Sequence, residues 1–519
     1  MSTPISTADV IRSNSRQRGN EVAIIQDDFR QTWAELDERS NRVANALVAS
    51  GVGDHDWIAF IDKNGYEYFE VLFGAAKLNA VTVNVNWRLA PMEVAWIVEN
   101  AEAKVFFVGR EFADAIETIR ADLSTVVTFV CLDDHDRFES YESWMSDDVS
   151  DPDAQPTGAD VAFQLYSSGT TGRPKGVMLS NNNLFASMAG ANEIWGFNET
   201  SVSLVAMPLF HIGGSGWAVV GMINGATSII VRDIDPGALI ATIGKERVTH
   251  AFLVPAVLQF MLMVPNVAEG DYSSLEMMVY GASPITEEVL AAAVRTFRCK
   301  FAQAYGLTET TGVVATLRPE DHDPDGVNSH RLRSAGKANR NVELKVVDPD
   351  SFVEVASGDV GEVITRSRQN MLGYWKDTEG TAAAYVGGDW FRTGDIGYFD
   401  DDGFLYIHDR VKDMIVSGGE NVYPAEIENV LMKHPGIADV AVIGVPDERW
   451  GEAGKAIVVR AAGTDSTAEE IIVFARDQLA AFKVPKSVDF VDEIPRNPSG
   501  KMLKKELRAP FWEGRKRKV

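Results

Sequence analysis

The sequence predicts an α/β protein. A large N-terminal part holds two doubly wound subdomains and a small β-rich subdomain, and a small α+β domain ends the chain. Three observations carry this reading. Short apolar runs of strand length alternate with amphipathic stretches in two successive series. From about 330 to 408 the helical stretches give way to apolar runs joined by Gly/Asp turns. The charge balance also changes at residue 411: 17 basic and 17 acidic residues follow, leaving 32 basic against 58 acidic before it, so the whole net charge of −26 sits in the first part.

The elements follow in order. Thr32 and Glu35 read as a capping box, with Leu36, Val43 and Leu47 at helical spacing behind it. Residues 57–61 read as a strand, 66–78 as a helix and 80–85 as a strand. The second series opens near Asp160, with strands at 161–166, 229–231, 251–254, 277–280 and 301–304. The β-rich part supplies strands at 342–347, 361–366 and 404–407. Beyond it, 414–417 is a strand and Gly418-Gly419 a turn. Pro424 opens a helix with Ile427, Val430 and Leu431 on one face. Strands at 440–443 and 456–459 follow, Ser466 and Glu469 box-cap another helix, and 487–491 is the last strand.

Composition excludes several function classes. The acidic balance disfavours nucleic acid as a partner. The longest apolar run, 216–231, is broken by Asn224, Thr227 and Ser228, and reads as buried helix and strand rather than a membrane span. Met1 to Ile5 lack the charged-then-apolar order of a secretory leader. Two cysteines cannot make a disulfide framework. Cys131 ends an apolar run and reads as buried, Cys299 lies between Arg298 and Lys300 and reads as near the surface, and a reducing, cytoplasmic setting fits both. Residues 501–519 carry eight Lys/Arg against two Glu. This basic end reads either as a solvated tail or as cations placed over an anionic ligand, and peripheral membrane contact through it stays open.

The sharpest segment is Tyr166-Ser167-Ser168-Gly169-Thr170-Thr171-Gly172-Arg173-Pro174-Lys175-Gly176, between a strand and a helix. Its hydroxyls, glycines and lysine suit an anion wrapped by backbone. It is not the common P-loop, because Pro174 precedes Lys175 and Gly176 follows it. Tyr305-Gly306-Leu307-Thr308-Glu309-Thr310 follows the strand at 301–304, at the sheet end where ligands of open α/β folds bind. A tyrosine there can stack on a purine, and Glu309 can hold magnesium on phosphate. Asp395 in Trp390-Phe391-Arg392-Thr393-Gly394-Asp395 suits ribose hydroxyls, and Arg410 in Asp409-Arg410-Val411-Lys412-Asp413 suits ribose or phosphate oxygens. Lys501 tips the loop Pro495-Arg496-Asn497-Pro498-Ser499-Gly500. Taken singly these are a turn, a helix cap, a surface ion pair and an exposed lysine. No His/Cys metal cluster or Gly-x-Ser-x-Gly elbow is visible, which disfavours zinc or serine-hydrolase chemistry.

Together, and in this order, the five motifs resemble the adenylate-forming superfamily of acyl-CoA synthetases, beetle luciferases and peptide-synthetase adenylation domains. The likeness runs from the Thr32-Trp33 helix to Lys501. The segment Ser417-Gly418-Gly419-Glu420-Asn421-Val422-Tyr423-Pro424 is most similar to fatty-acid and aryl-acid CoA ligases. The resemblance implies an N-terminal domain over 1–410 with the ATP and acyl sites, and a mobile C-terminal domain over 411–519. It implies an ATP-dependent acid:CoA ligase that makes an acyl-AMP with release of pyrophosphate, then an acyl-CoA, using ATP, Mg2+ and CoA. By motif, Ser167, Ser168, Gly169, Thr170, Thr171, Gly172 and Lys175 hold the β and γ phosphates. Gly281, Ala282, Ser283, Tyr305 and Gly306 border the adenine, Thr308 the α-phosphate, and Glu309 binds magnesium. Asp395 and Arg410 take the ribose, and Lys501 reaches the carboxylate and the α-phosphate. Lys412 is the hinge, and Ser417, Gly418 and Gly419 leave room for pantetheine. His211, before the small residues 212–216, borders the acyl site, with Trp217 as gate or floor. A fatty acid is the expected substrate. An aryl acid, a sterol side chain, a carrier-protein thiol as acceptor, and oxidation of the adenylate as in luciferases stay open, as does monomer against homodimer. A nucleotide-binding protein without turnover would not be expected to keep Lys501 and the hinge segment.

Overall fold

The computed structural model describes residues 5–167, 174–283, 285–410, 413–417, 420–422, 424–447, 450–479, 481, 483–496 and 502–513. Among these residues two large sheets dominate. The first runs in the order Gly373–Tyr374, Lys175–Ser180, Val161–Ser167, Val81–Asn84, Trp57–Ile61, Val105–Val108, Thr128–Cys131, Glu139–Ser140. The second runs Lys337–Ala338, Gly312–Leu317, Lys300–Leu307, Met277–Gly281, His250–Leu253, Val202–Val205, Thr227–Ile230, Val22–Gln26, Phe29–Thr32. Strands such as Val105–Val108 and His250–Leu253 are buried at every position. Such runs have no polar face because helices cover both sides of a parallel sheet.

Each sheet is parallel in its middle and antiparallel at one edge, and the second is antiparallel at its other edge too, where Val22–Gln26 pairs with Phe29–Thr32. Val161–Ser167 pairs antiparallel with Lys175–Ser180, and Lys300–Leu307 pairs antiparallel with Gly312–Leu317. A turn closing such a hairpin sits at the carboxyl end of the last parallel strand. Both glycine- and threonine-rich motifs read from the sequence fall on these two turns.

Between the sheets one apolar core joins residues of both, including Trp33, Phe69, Phe73, Trp217 and Tyr280. Thr32 and Glu35 form the expected capping box, and the helix Trp33–Ala49 buries Leu36, Val43 and Leu47. It meets the helix Glu67–Ala76 closely: a Cβ on Gly74 would lie 2.6 Å from Val43 Cγ1 and 3.0 Å from Ser40 O. Two exchanges stitch the sheets together, and neither follows from local pattern. The N-terminal hairpin of Val22–Gln26 and Phe29–Thr32 joins the second sheet, and Gly373–Tyr374 joins the first.

The β-rich subdomain holds Val342–Val347, Gly361–Ser367, Trp390–Phe399 and Tyr385–Val386, with Leu405–Arg410 pairing Trp390–Phe399. The C-terminal domain has its own sheet of Glu420–Val422, Ile415–Ser417, Gly451–Arg460 and Ile437–Asp447, with Ser487–Phe490 parallel to Gly451–Arg460. Helices Pro424–Leu431 and Ala468–Arg476 pack Ile427, Leu431 and Ile471 on one face, and Ile494, Leu507 and Phe511 gather on the other.

One expectation is corrected. The second C-terminal capping box is Thr467 with Glu470, one residue later than Ser466 and Glu469, because Ser466 precedes the turn of the backbone into the helix. Cys299 is half-buried, and burial pushes its thiol up to about 12. Trp217 belongs to the apolar core. It is 2% exposed, donates its indole N–H to Leu204 O at 3.0 Å and packs against Trp195, Phe197 and Phe252. Among the described residues no helix is long and apolar enough to cross a membrane.

Candidate active site

The end of the strand Val161–Ser167 meets the turn of the second hairpin across the seam between the sheets. Ser167, the last residue of Val161–Ser167, donates its hydroxyl to Glu309 Oε1 at 2.9 Å. Tyr374, on the strand that edges the first sheet, donates to the same oxygen at 3.3 Å. Burial, reinforced by the Glu309 charge, holds the Tyr374 phenol well above its usual range, so it stays a donor. Lys175 closes the first hairpin. Its ammonium pairs with Asp377 Oδ2 at 2.8 Å and lies 4.6 Å from the Tyr374 ring centre. The hydrogen bond from Lys175 in turn holds Asp377 below the usual carboxylate range.

The turn Thr308–Thr310 is fixed from several sides. Thr310 Oγ1 accepts from Leu307 N at 2.9 Å, Ser187 donates to Thr311 O at 2.7 Å, and Gln369 Nε2 donates to Thr310 O at 2.8 Å. Thr311 donates to Gln369 O at 2.5 Å, and Met371 N donates to Glu309 O at 2.8 Å. Thr311 takes φ +52°, a left-handed conformation that these bonds hold in place. Gly306 permits the closeness of the hairpin: a Cβ there would lie 1.8 Å from Gly312 O.

Beside this turn, Tyr305 donates its hydroxyl to Asp395 Oδ2 at 2.8 Å, and Asp395 is 5% exposed. Asp395 N donates to Thr393 Oγ1 at 3.1 Å. Arg392 donates to buried Glu362 through Nη2 at 2.7 Å, and Gly394 N donates to the same carboxylate at 3.3 Å. The segment that presents Asp395 is thereby clamped at both ends. Arg410 stands opposite Asp395 in the strand register. Gly281 stands opposite Ala304, one residue before Tyr305, and a Cβ on it would meet Ala304 O at 2.2 Å. Ala282 follows at φ +66°, so 281–283 turn sharply away at the strand end next to Tyr305.

His211 caps the helix Ile212–Ile223, and its carbonyl accepts from Gly214 N, Ser215 N and Ser215 Oγ. Its Nε2 is buried with no hydrogen bond among the described residues. Burial first, and the Arg88 charge second, push the ring down to about 4, so it is neutral at ordinary pH. Ile212 abuts the second hairpin, 3.8 Å from where a Cβ on Gly312 would stand.

The structure therefore brings together Ser167, Lys175, Tyr305, Gly306, Thr308, Glu309 and Asp395, with 281–283 alongside and the His211 helix against the hairpin. Ser168, Gly169, Thr170, Thr171, Gly172, Lys412, Gly418, Gly419 and Lys501 lie outside the described residues, as does the Arg410 side chain. Ser417 belongs to the C-terminal sheet, opposite Glu420 and Gly451. Sequence reasoning missed Tyr374, Asp377 and Glu362. Gly373-Tyr374-Trp375 carries no periodic signal, and a lone Asp or Glu after a turn has none either.

For magnesium, the donor set can be tested directly. Both hydroxyls that reach Glu309 use Oε1, and among the described residues no three His, Cys, Asp or Glu side chains gather to enclose a metal. One carboxylate without a cage suits an ion that keeps waters and takes its other ligands from phosphate. The residues fit.

The fold defines a class: an α/β protein of a large N-terminal domain, with polar residues gathered at the carboxyl ends of two adjoining sheets, and a small C-terminal domain. The chain belongs to the AMP-binding enzyme family, whose match covers residues 11–375, with the AMP-binding enzyme C-terminal domain matched over 426–501. It is 40% identical over 494 residues to the fatty acid–[acyl-carrier-protein] ligase ScoC of Streptomyces coeruleorubidus, covering 94% of this chain and 93% of that one. It is 37% identical over 490 residues to the long-chain-fatty-acid–CoA ligase FadD13 of Mycobacterium tuberculosis, covering 93% and 94%. The crystal structure of the anthranilate CoA ligase AuaEII with anthranoyl-AMP superposes with a TM-score of 0.88 at 27% identity, covering 98% of each chain. This protein is an AMP-forming acid ligase that uses ATP, Mg2+ and CoA.

Proposed function

We propose that the acid is a fatty acid and that its acyl group passes from AMP to coenzyme A. The observation that carries the adenylation site is the pair of hydrogen bonds joining three separate segments: Ser167 to Glu309, and Tyr305 to Asp395. Two relatives named for fatty acids support the choice of acid. In this reading the substrate carboxylate attacks the α-phosphorus of ATP and pyrophosphate leaves. Ser167, Ser168, Gly169, Thr170, Thr171, Gly172 and Lys175 hold the β and γ phosphates. Gly281, Ala282, Ser283, Tyr305 and Gly306 border the adenine, Thr308 contacts the α-phosphate, and Asp395 with Arg410 takes the ribose. Glu309 holds Mg2+, which supplies charge neutralisation on the phosphates. Lys501 contacts the carboxylate and the α-phosphate, where negative charge accumulates as two anions approach.

In the second step a thiol attacks the acyl carbonyl and AMP leaves. We divide the chain at 410/411 and assign Lys412 as the hinge about which the C-terminal domain turns, bringing Ser417, Gly418 and Gly419 beside the thiol. His211 borders the acyl group. A carrier-protein thiol is the second reading, favoured by the similarity to ScoC. The test is AMP release from ATP over a panel of straight-chain and aromatic acids, run with CoA and with a holo-carrier protein. The proposal expects straight-chain acids with CoA to be turned over best. Turnover only of aromatic acids, or only with the carrier protein, would refute the corresponding half.

A further inference from the structure

Two buried asparagines from the first sheet grip the segment that leads to His211, on the second. Asn64, just beyond the strand Trp57–Ile61, is 5% exposed and accepts from Leu209 N at its Oδ1, 3.0 Å away. Its Nδ2 donates to Met207 O at 3.0 Å and Val231 O at 3.1 Å. Asn84 ends the strand Val81–Asn84, is 3% exposed, and donates to Leu209 O at 3.2 Å and to the Tyr68 hydroxyl at 2.8 Å. Both backbone groups of Leu209 are thus taken by side chains of the opposite sheet, two residues before His211. Irregular backbone at 206–210 is buried and has no ladder to satisfy it, so these amides replace the missing partners.

We infer that Asn64 and Asn84 are positioning residues that set the place of His211 at the acid site through Leu209. This rests on the proposed role of His211. The imidazole Nε2 has no hydrogen-bond partner among the described residues, and the Phe210 ring lies 4.6 Å from the imidazole, so no side-chain hydrogen bond fixes the ring at that nitrogen. Its position therefore follows the backbone that carries it, and that backbone is fixed from the other sheet. Loss of either amide lets 207–211 move, and displacements near 1 Å at a substrate-positioning group cost on the order of 100-fold in rate.

The experiment is a coupling cycle in acid-dependent pyrophosphate exchange on the full chain: Asn64→Ala, Asn84→Ala and His211→Ala, singly and as the two Asn/His pairs, with melting temperatures for each. The expected result is a fall of about tenfold or more in kcat/KM for the acid in each asparagine variant, with KM for ATP unchanged. On the His211→Ala background the same changes should cost less than about twofold, because the group they position is gone. Full additivity beside a strong His211→Ala effect would overturn the positioning role and leave the His211 reading intact. A silent His211→Ala would overturn both. If Asn64→Ala does not fold, Asn84→Ala decides, since it breaks two hydrogen bonds where Asn64→Ala breaks four.

Discussion

Gly306→Ala is the sharpest probe of the site, because its cost can be worked from one distance. The added methyl would stand 1.8 Å from Gly312 O, 2.6 Å from Gly312 C and 3.0 Å from Val313 Cα, all backbone atoms that no rotamer change can move. Restoring a normal contact of about 3.4 Å requires the two strands to part by roughly 1.5 Å, enough to break the pairing of Gly306 with Val313. Overpacking of this kind costs about 1–3 kcal/mol, and each lost backbone bond about 1 kcal/mol more. The turn carrying Thr308 and Glu309 moves with the strand, so Glu309 leaves Ser167. Pyrophosphate exchange should fall by about 100-fold, while the melting temperature drops only a few degrees. Gly312→Ala is the control from the same hairpin. There the nearest atoms are 3.8 Å away and the strain is that of φ +95° alone, about 1–2 kcal/mol, so exchange should fall by less than about tenfold. A Gly306→Ala enzyme that exchanges pyrophosphate at the parent rate would refute the placement of the turn.

Glu309→Gln keeps an acceptor for Ser167 and Tyr374 but removes the charge. Exchange should drop by about 100- to 1000-fold at low Mg2+ with little change in melting temperature, and an unchanged rate would remove Glu309 from the metal site. Lys501→Ala should abolish most pyrophosphate exchange while ATP binding, read by calorimetry, survives. Lys412→Pro should spare exchange and cripple thioester formation, and equal loss of both half-reactions would count against a hinge. His211 and His322 are both held near 4 by burial, against an ordinary value of about 6.5. The unfolded chain therefore binds more protons than the folded one below pH 6.5, and stability falls as pH drops from 6.5 toward 4. Each histidine contributes a loss of about 2 kcal/mol at pH 5, so His322→Gln should flatten the dependence of melting temperature on pH between 6.5 and 5.

Much of the fold was legible because it is written in short periodic runs. The strand at 342–347, the capping box of Thr32 and Glu35, and the helix opened by Pro424 all agree with local chemistry that no tertiary contact overrides. Boundaries shifted where pairing, not propensity, ends an element: the strand read as 301–304 runs on to Leu307 because Gly312–Leu317 supplies it with a partner. The assignment of strands to sheets was not legible at all. Val22–Gln26 joins a strand 205 residues away at its nearest hydrogen bond, Thr227 Oγ1 to Val22 O, and no local pattern encodes that. The same holds for the site. Motif residues announced themselves by their density, whereas Tyr374, Glu362, Asn64 and Asn84 act through long-range bonds and look like any other polar residue in sequence.

The position of the cleft follows from the topology rather than from any one motif. A parallel strand ends in a crossover that leads the chain away from its carboxyl end, so a loop there is free to differ but not to stay. Val161–Ser167 and Lys300–Leu307 instead pair with the next strand as antiparallel hairpins, which keeps Ser167 and the turn Thr308–Thr310 at the sheet ends. The two sheets share one core, so buried packing sets the separation of Ser167 from Thr308–Thr310. Gly373–Tyr374 then adds a strand to the first hairpin while Met371 N binds the Glu309 carbonyl of the second. A single short segment thus ties both turns, and its Tyr374 completes the hydroxyl pair on Glu309. Ser167 and Glu309 meet as a consequence of strand order, and under the proposed function the pocket for the acid can change around them without moving either.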